Sequence, residues 1–126
     1  MVVPAAVRRA LEEHADSEAP NEACGLIAFK DGIAERYLPG SNEAASPYRF
    51  LLKPGNPLDF YLEDEGYELA VFHSHPTDSA RPSKTDVANI GLWEGKPYFI
   101  LSRPTRELLC WSIRDGQVEP LDYTAE

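Results

Sequence analysis

The sequence has no long hydrophobic segment and only two cysteines. No apolar run approaches the roughly 20 residues that a helix needs to span a bilayer. The opening segment MVVPAAVRRALEE lacks the basic-then-apolar layout of a signal peptide, so we expect a cytoplasmic protein. Cys24 and Cys110 lie far apart in apolar segments, which predicts reduced, buried thiols and not a disulfide framework.

Positive charge is also scarce. The chain has 12 Lys and Arg against 21 Asp and Glu, which gives a formal net charge of −9. This excess of negative charge opposes non-specific attraction to nucleic acid and to anionic membrane surfaces. We therefore expect neither a nucleic-acid nor a membrane partner, and favour a protein, peptide or metal-bound partner.

Length and composition predict one domain over residues 1–126. A chain of 126 residues can bury one core but has little room for a second. Eleven prolines and eight glycines punctuate short apolar runs, and 43% of the residues are hydrophobic. These values are ordinary for a compact α+β or α/β protein. The sequence contains no internal repeat, linker or low-complexity segment.

Local patterns predict a mixed sheet with helices packed on it. Helices are expected from Pro4 to about Glu18, over 57–65, and for about ten residues after an N-cap at Ser83. Strands are expected for ACGLIAFK and IAERYL, which are joined by an Asp31-Gly32 hairpin turn, and for YRFLL (48–52), YELAVFHSH, PYFILS, ELLCWSI and QVEPL.

The segment FHSHP at the end of one predicted strand carries metal-ligating side chains. Side chains two apart on a strand share a face, so His73 and His75 point the same way. Asp86 follows in the first turn of the next predicted helix. Two imidazole nitrogens and one carboxylate oxygen are the ligand set of a catalytic zinc site that leaves a fourth position for water.

Hydrolysis of an amide at such a site needs two further groups. A carboxylate that is not a ligand must take a proton from water and return it to the leaving amine, and Glu22 precedes an apolar strand where it would overhang the site. The Ser83 hydroxyl would donate to the oxyanion that develops on the scissile carbonyl.

Each of these residues also has a simpler interpretation. Ser83 and Asp86 form a capping-box pattern, and a glutamate such as Glu22 is commonly a surface residue. The His-x-His pattern alone occurs in cupins and amidohydrolases as well as by chance. Cys24 as a nucleophile has no supporting Asn or Asp motif.

Taken together, the residues carry a more specific pattern. Glu22, then H-S-H-P at 73–76, six residues, Ser83, two residues and Asp86 resemble the JAMM, or MPN-plus, motif of the Mov34/JAB zinc metallopeptidases. The similarity extends over most of the chain, including NEACGLIA (21–28), SNEAASPYRF (41–50) and RPSKTDV. It is greatest to the small prokaryotic branch that includes a cysteine-releasing peptidase of a ubiquitin-like sulfur-carrier protein.

This resemblance implies a fold, a cofactor and roles for five residues. The fold would be a cytidine-deaminase-like α-β-α sandwich with a curved mixed sheet. Zinc would be held by His73, His75 and Asp86, with Glu22 as general base and acid and Ser83 stabilising the oxyanion. The scissile bond would be a peptide or isopeptide after the Gly-Gly tail of a ubiquitin-like protein.

Other functions are compatible with the same residues. The enzyme could act on cell-wall or phage-tail peptides, since related sequences occur there. A non-catalytic interaction module that keeps zinc for structure, and an Fe(II) oxygenase with a two-His, one-carboxylate triad, are the alternatives from other classes. The loop 77–82 lies beside the expected metal site, where it could act as a lid.

Overall fold

The structure, a computed structural model, describes residues 1–126, and its longest helix lies where the sequence predicts one. Helix α1 spans Ala5–Glu18 and follows Pro4, which has an extended conformation. Val7, Leu11 and Ala15 are buried. Because residues four apart lie on the same helix face, these three side chains form the stripe that packs on the sheet.

Nine strands form the sheet. They are β1 (Val2–Val3), β2 (Cys24–Lys30), β3 (Ile33–Asn42), β4 (Leu52–Pro54), β5 (Glu68–His75), β6 (Tyr98–Ser102), β7 (Leu108–Arg114), β8 (Gln117–Leu121) and β9 (Thr124–Ala125). Their order is β8-β7-β6-β5-β2-β3-β1-β9, with β4 paired to β3. The β5–β6 pair is parallel and the β2–β5 pair is antiparallel, so the predicted mixed sheet is confirmed.

Helices cover both faces of this sheet. The face under α1 is filled by residues such as Ile27, Phe72 and Phe99. The other face is covered by α2 (Lys84–Ala88) and by two 3-10 helices, Pro57–Glu65 and Gly91–Trp93, over separate apolar clusters. This arrangement confirms the predicted α-β-α layering.

The central strand β5 positions the candidate site. It lies between β2 and β6, and every residue of it except Glu68 is buried. Such continuous burial is typical of a strand that is covered on both faces. The strand therefore delivers its C-terminal residues into a protein environment and not into solvent.

The predicted strand over residues 48–52 is wrong for most of its length. Strand β4 begins only at Leu52. The side chain of Asn42 accepts hydrogen bonds from the backbone N–H groups of Ala44 and Leu51 and donates one to the carbonyl of Arg49. Side-chain hydrogen bonds of this kind compete with a strand ladder, and they hold the segment as a loop.

The helix after Ser83 is shorter than predicted. Helix α2 ends at Ala88, and a separate 3-10 turn spans Gly91–Trp93. Gly91 has a φ of 47°, in the left-handed region, which interrupts a right-handed helix. The predicted helix over 57–65 is a 3-10 helix that ends at Gly66 with a φ of 90°.

The remaining expectations concern thiols and membrane spans. Cys24 and Cys110 are free and buried, as the sequence predicted. No helix in the structure has both the length and the apolar character to cross a membrane.

Replacement of Leu11 by Ala tests whether the stripe on α1 carries the stability of the fold. Leu11 is 0% exposed, whereas Leu92 is 85% exposed. We expect Leu11→Ala to lower the free energy of unfolding by about 2–5 kcal/mol because it leaves a cavity. Leu92→Ala, the same chemical change on the surface, should cost less than about 0.5 kcal/mol. Denaturant unfolding measures both, and equal losses would contradict the assignment of the core.

Candidate metal centre

Two histidines meet at the end of β5. His73 and His75 lie on the same face of the strand, with Nε2 atoms 3.1 Å apart, and both are buried. On the other face, Phe72 belongs to the core under α1. The alternation of side chains along β5 is what brings the two imidazoles together, as the spacing predicts.

Asp86 approaches both histidines from α2. Its Oδ1 is 3.3 Å from Nε2 of His73, and its Oδ2 is 3.1 Å from Nε2 of His75. Ser83 is the N-cap of the helix: its N–H donates to Oδ2 of Asp86, and its hydroxyl oxygen accepts from the Asp86 N–H. The capping box is therefore real, and it points the carboxylate at the imidazoles.

Glu22 lies just before β2 and is only 2% exposed, so its interpretation as a surface residue is wrong. Backbone hydrogen bonds fix its position. Its N–H donates to the carbonyl of Ser46, and its own carbonyl accepts from the side chain of Asn42. Its Oε1 is 3.9 Å from Nε2 of His73 and has no hydrogen-bond partner.

The register between β2 and β5 is held at the site by a serine that sequence reasoning did not single out. The backbone N–H of Ala23 donates to the hydroxyl of Ser74, and the Ser74 N–H donates to the Ala23 carbonyl. These bonds join the residue after Glu22 to the residue between the two histidines. The alternation of side chains along β5 places Ser74 on the face opposite the two histidines, but it does not indicate that Ser74 fixes the register with β2.

Both imidazoles have orienting neighbours. Nδ1 of His75 lies 2.7 Å from the carbonyl of Ser79, which can only accept, so Nδ1 carries a proton and Nε2 is the nitrogen that faces the cluster. The ring of Phe50 stacks on His73 with ring centroids 4.5 Å apart, and Tyr98 meets the same ring edge-on. Nothing in the local sequence pattern assigned these contacts to Ser79 or Phe50.

Burial acts in opposite ways on the two carboxyl groups. Burial raises the pKa of Glu22 to about 8, although the charge of His75 opposes the shift. Burial also acts to raise the pKa of Asp86, but the charge of His73 and hydrogen bonds from both histidines and Ser83 hold that pKa far below its usual range. Asp86 is thus a permanent carboxylate, whereas Glu22 exchanges a proton near neutral pH.

Cys24 is not suited to nucleophilic chemistry. It faces His73 across the β2–β5 pair, but burial raises the pKa of its thiol to about 12, and the charge of Glu22 adds to that shift. A thiolate is the reactive form of cysteine.

The donor atoms lie close enough together to hold one metal ion. Ligand atoms bound to zinc at about 2.0–2.1 Å in tetrahedral geometry lie about 3.3 Å apart. The two Nε2 atoms lie 3.1 Å apart, close to that spacing, and each has one Asp86 oxygen nearby, Oδ1 at 3.3 Å from His73 and Oδ2 at 3.1 Å from His75. Glu22, His73 and His75 also offer ligand atoms within 4.8 Å of one another, with Glu22 the more distant carboxylate. The residues therefore fit a metal ion.

Comparison with known proteins gives this cluster a context. A family model described as prokaryotic homologs of the JAB domain matches residues 4–114. The chain belongs to this family. Its fold agrees: a JAB1/MPN domain protein from Archaeoglobus fulgidus superimposes with a TM-score of 0.63 at 22% identity, over 98% of this chain and 99% of that one.

This JAB protein is similar to proteins with several different names. The CysO-cysteine peptidase of Mycobacterium tuberculosis is 33% identical over all of this chain and 92% of that protein. The tail tip assembly protein K of Escherichia phage N15 is 37% identical over 79% of this chain and 40% of that protein. A probable TtuB-protein conjugate cleaving protease of Thermus thermophilus is 36% identical over 69% of this chain and 61% of that protein.

Replacement of Glu22 by Gln should change how the metal-free protein responds to pH. The folded protein holds a proton on Glu22 up to a pKa of about 8, whereas an unfolded glutamate loses it near its ordinary pKa of 4.5. Stability therefore falls as pH rises between these values, because the folded state binds more protons. Glu22→Gln lacks this loss and should be more stable than wild type at pH 8, by on the order of 2–4 kcal/mol.

Chemical unfolding after chelation, at pH 5 and pH 8, measures this difference. The exposed Glu107 provides a matched control, and Glu107→Gln should change stability by less than about 0.5 kcal/mol. If the difference in free energy of unfolding between Glu22→Gln and wild type were the same at pH 5 and pH 8, folding would not raise the pKa of Glu22.

Proposed function

We propose that this JAB protein is a zinc-dependent metallopeptidase. It would hydrolyse the peptide or isopeptide bond that follows the C-terminal tail of a ubiquitin-like or sulfur-carrier protein. The observation that carries the proposal is the buried cluster of Glu22, His73, His75 and Asp86. Both imidazole Nε2 atoms lie within 3.3 Å of an Asp86 oxygen, and the Glu22 carboxyl group has an unpartnered oxygen. The names of the M. tuberculosis and T. thermophilus relatives support the carrier-protein substrate.

His73, His75 and Asp86 are the ligands in this proposal. Asp86 is preferred to Glu22 because it lies closer to His73, at 3.3 Å against 3.9 Å, and because its pKa is lowered while that of Glu22 is raised. A permanent carboxylate suits a ligand, whereas a group that titrates near neutral pH suits proton transfer. Zinc, when bound, supplies a Lewis acid and lowers the pKa of a coordinated water to about 7.

Glu22 and Ser83 act on the reacting atoms. As the water oxygen bonds to the scissile carbonyl carbon, the carboxylate of Glu22 takes one water proton. It returns that proton to the amide nitrogen, whose bond to carbon breaks, so the products are a carboxylate and an amine. The hydroxyl oxygen of Ser83 already accepts from the Asp86 N–H, so its hydrogen is available to donate to the carbonyl oxygen as negative charge develops there.

Strand β4 offers a place for the substrate tail. It pairs with β3 on one side only, and it begins two residues after Phe50, which stacks on His73. An extended tail that adds to this edge would form main-chain hydrogen bonds and run toward the metal. Glycines in the tail would allow its backbone to pass close to the cluster.

Hydrolysis of phage-tail peptides is the second candidate function. The similarity to the phage N15 protein favours it, although this chain spans only 40% of that protein. The two candidates separate when the zinc-loaded protein is given a carrier protein extended at its C-terminus and, in parallel, phage-tail and cell-wall peptides. Product masses then show which bond is cut.

Glu22→Gln should retain zinc and lose activity. We expect kcat on the carrier adduct to fall by about 10²–10⁴-fold, since the amide cannot transfer a proton. His73→Ala should lose both zinc and activity, because a ligand is gone. Metal analysis accompanies each rate measurement. Loss of zinc from Glu22→Gln, with zinc retained in Asp86→Asn, would show that Glu22 is the ligand and Asp86 is not. Equal rates for wild type and Glu22→Gln would show that Glu22 does not take part in the reaction.

Ser83 has two separable functions, as a helix cap and as a donor to the substrate. Ser83→Ala should lower kcat by about 10²–10³-fold through loss of the donor, and stability by about 1 kcal/mol through loss of the cap. Ser83→Thr retains both the capping oxygen and the hydroxyl donor, so it should keep activity and stability. Activity of Ser83→Ala equal to that of Ser83→Thr would exclude the oxyanion role.

A further inference from the structure

The loop between β5 and α2 is held by hydrogen bonds to three consecutive carbonyl groups, those of Asp78, Ser79 and Ala80, here named the carbonyl row. The hydroxyl of Ser102 donates to Asp78 at 2.8 Å. Nδ1 of His75 donates to Ser79 at 2.7 Å. The indole N–H of Trp111 donates to Ala80 at 2.8 Å.

All three donors are interior side chains. His75, Ser102 and Trp111 are buried, whereas the residues Asp78 and Ser79 are exposed. Carbonyl groups of a surface loop ordinarily bond to water or to other backbone groups. In this loop three in succession turn inward to side chains, so the interior of the protein fixes the path of the backbone.

The two outer donors sit on a rigid frame beside His75. Ser102 is in register with His75 in the parallel β5–β6 pair, and the N–H of Arg103 donates to the His75 carbonyl. Trp111 lies on β7, the next strand, and the guanidinium of Arg81 covers its ring at 5.2 Å. The donors to Asp78 and Ala80 therefore keep their places relative to the strand that bears the histidines.

We propose that Ser102 and Trp111 are positioning residues of the metal centre. By holding the carbonyls of Asp78 and Ala80, they aim the carbonyl between them, that of Ser79, at Nδ1 of His75. That contact fixes the orientation and tautomer of the imidazole, so that Nε2 faces the metal. The inference rests on the proposed function, since it requires His75 as a ligand.

A consequence concerns the loop 77–82. A lid must leave and regain its position as substrate binds. Opening this loop would break the three bonds of the carbonyl row and release the imidazole of a ligand. The inference therefore predicts that the loop keeps its position when substrate binds and does not act as a lid.

Metal binding tests the inference apart from catalysis. Affinity for Zn²⁺ is measured by competition with a chromophoric chelator, and the visible absorption of the Co²⁺ form reports the ligand geometry. Loss of an outer partner of a ligating histidine typically lowers metal affinity by about 10–100-fold. We expect losses in that range for Ser102→Ala and for Trp111→Phe, a larger loss for the double variant, and an altered Co²⁺ spectrum in each.

Matched controls separate positioning from general damage. Trp93→Phe changes a tryptophan that stacks on Phe60, and Ser112→Ala changes a half-buried serine on β7. Both should bind Zn²⁺ as tightly as wild type and give its Co²⁺ spectrum, at whatever thermal stability they show. Ser102→Ala removes a single oxygen atom, and it carries the test alone if Trp111→Phe does not fold.

The Zn²⁺ affinities and Co²⁺ spectra of wild type and the variants distinguish three outcomes. If wild type binds Zn²⁺ and the Ser102 and Trp111 variants match it in affinity and spectrum, the positioning role is overturned while the proposed function stands. If wild type takes up no Zn²⁺, both fall. Losses confined to the two carbonyl-row donors, with the controls unaffected, establish the role.

Discussion

The arrangement of this protein depends on one electrostatic constraint, the confinement of two carboxyl groups and two imidazoles in a buried space at the end of β5. Nε2 of His73 lies within 4 Å of an oxygen from each carboxyl group, and all four residues are at most 4% exposed. Isolated charges are expensive to bury. The cluster is consistent with folding only because opposite charges, hydrogen bonds and the raised pKa of Glu22 limit the cost of its burial, and a bound cation would lower that cost further.

The surrounding fold serves this constraint by supplying rigidity from several directions. Strand β5 is buried between β2 and β6, so it cannot shift without breaking two ladders. The capping box of α2 fixes Asp86, the Ser74 hydroxyl fixes the register beside Glu22, and the Ser79 carbonyl fixes His75. Each support is a backbone or short polar contact, which allows little play in the position of the side chain that it holds.

Most of the fold followed from local patterns, and the failures have a common cause. The β2–β3 hairpin, α1 and the strands β5 to β8 lie where apolar periodicity and turn residues put them. The segment around Phe50 failed as a strand because the Asn42 side chain takes the backbone bonds that a ladder would use. The short strand β1 pairs with β3 and with β9, and these contacts between distant segments are ones that no local pattern can indicate.

The sequence by itself determined which residues could do chemistry. The two-residue spacing of His73 and His75 fixes their common face in any strand, and Ser83 with Asp86 forms a cap in any helix that starts there, because both relations follow from local geometry. Only the tertiary structure decided that Glu22 is buried, that Phe50 and Tyr98 enclose His73, and that the Ser79 carbonyl orients His75. These contacts join residues whose neighbourhood is set by strand register and loop path, and a register is a property of two segments and not of either one alone.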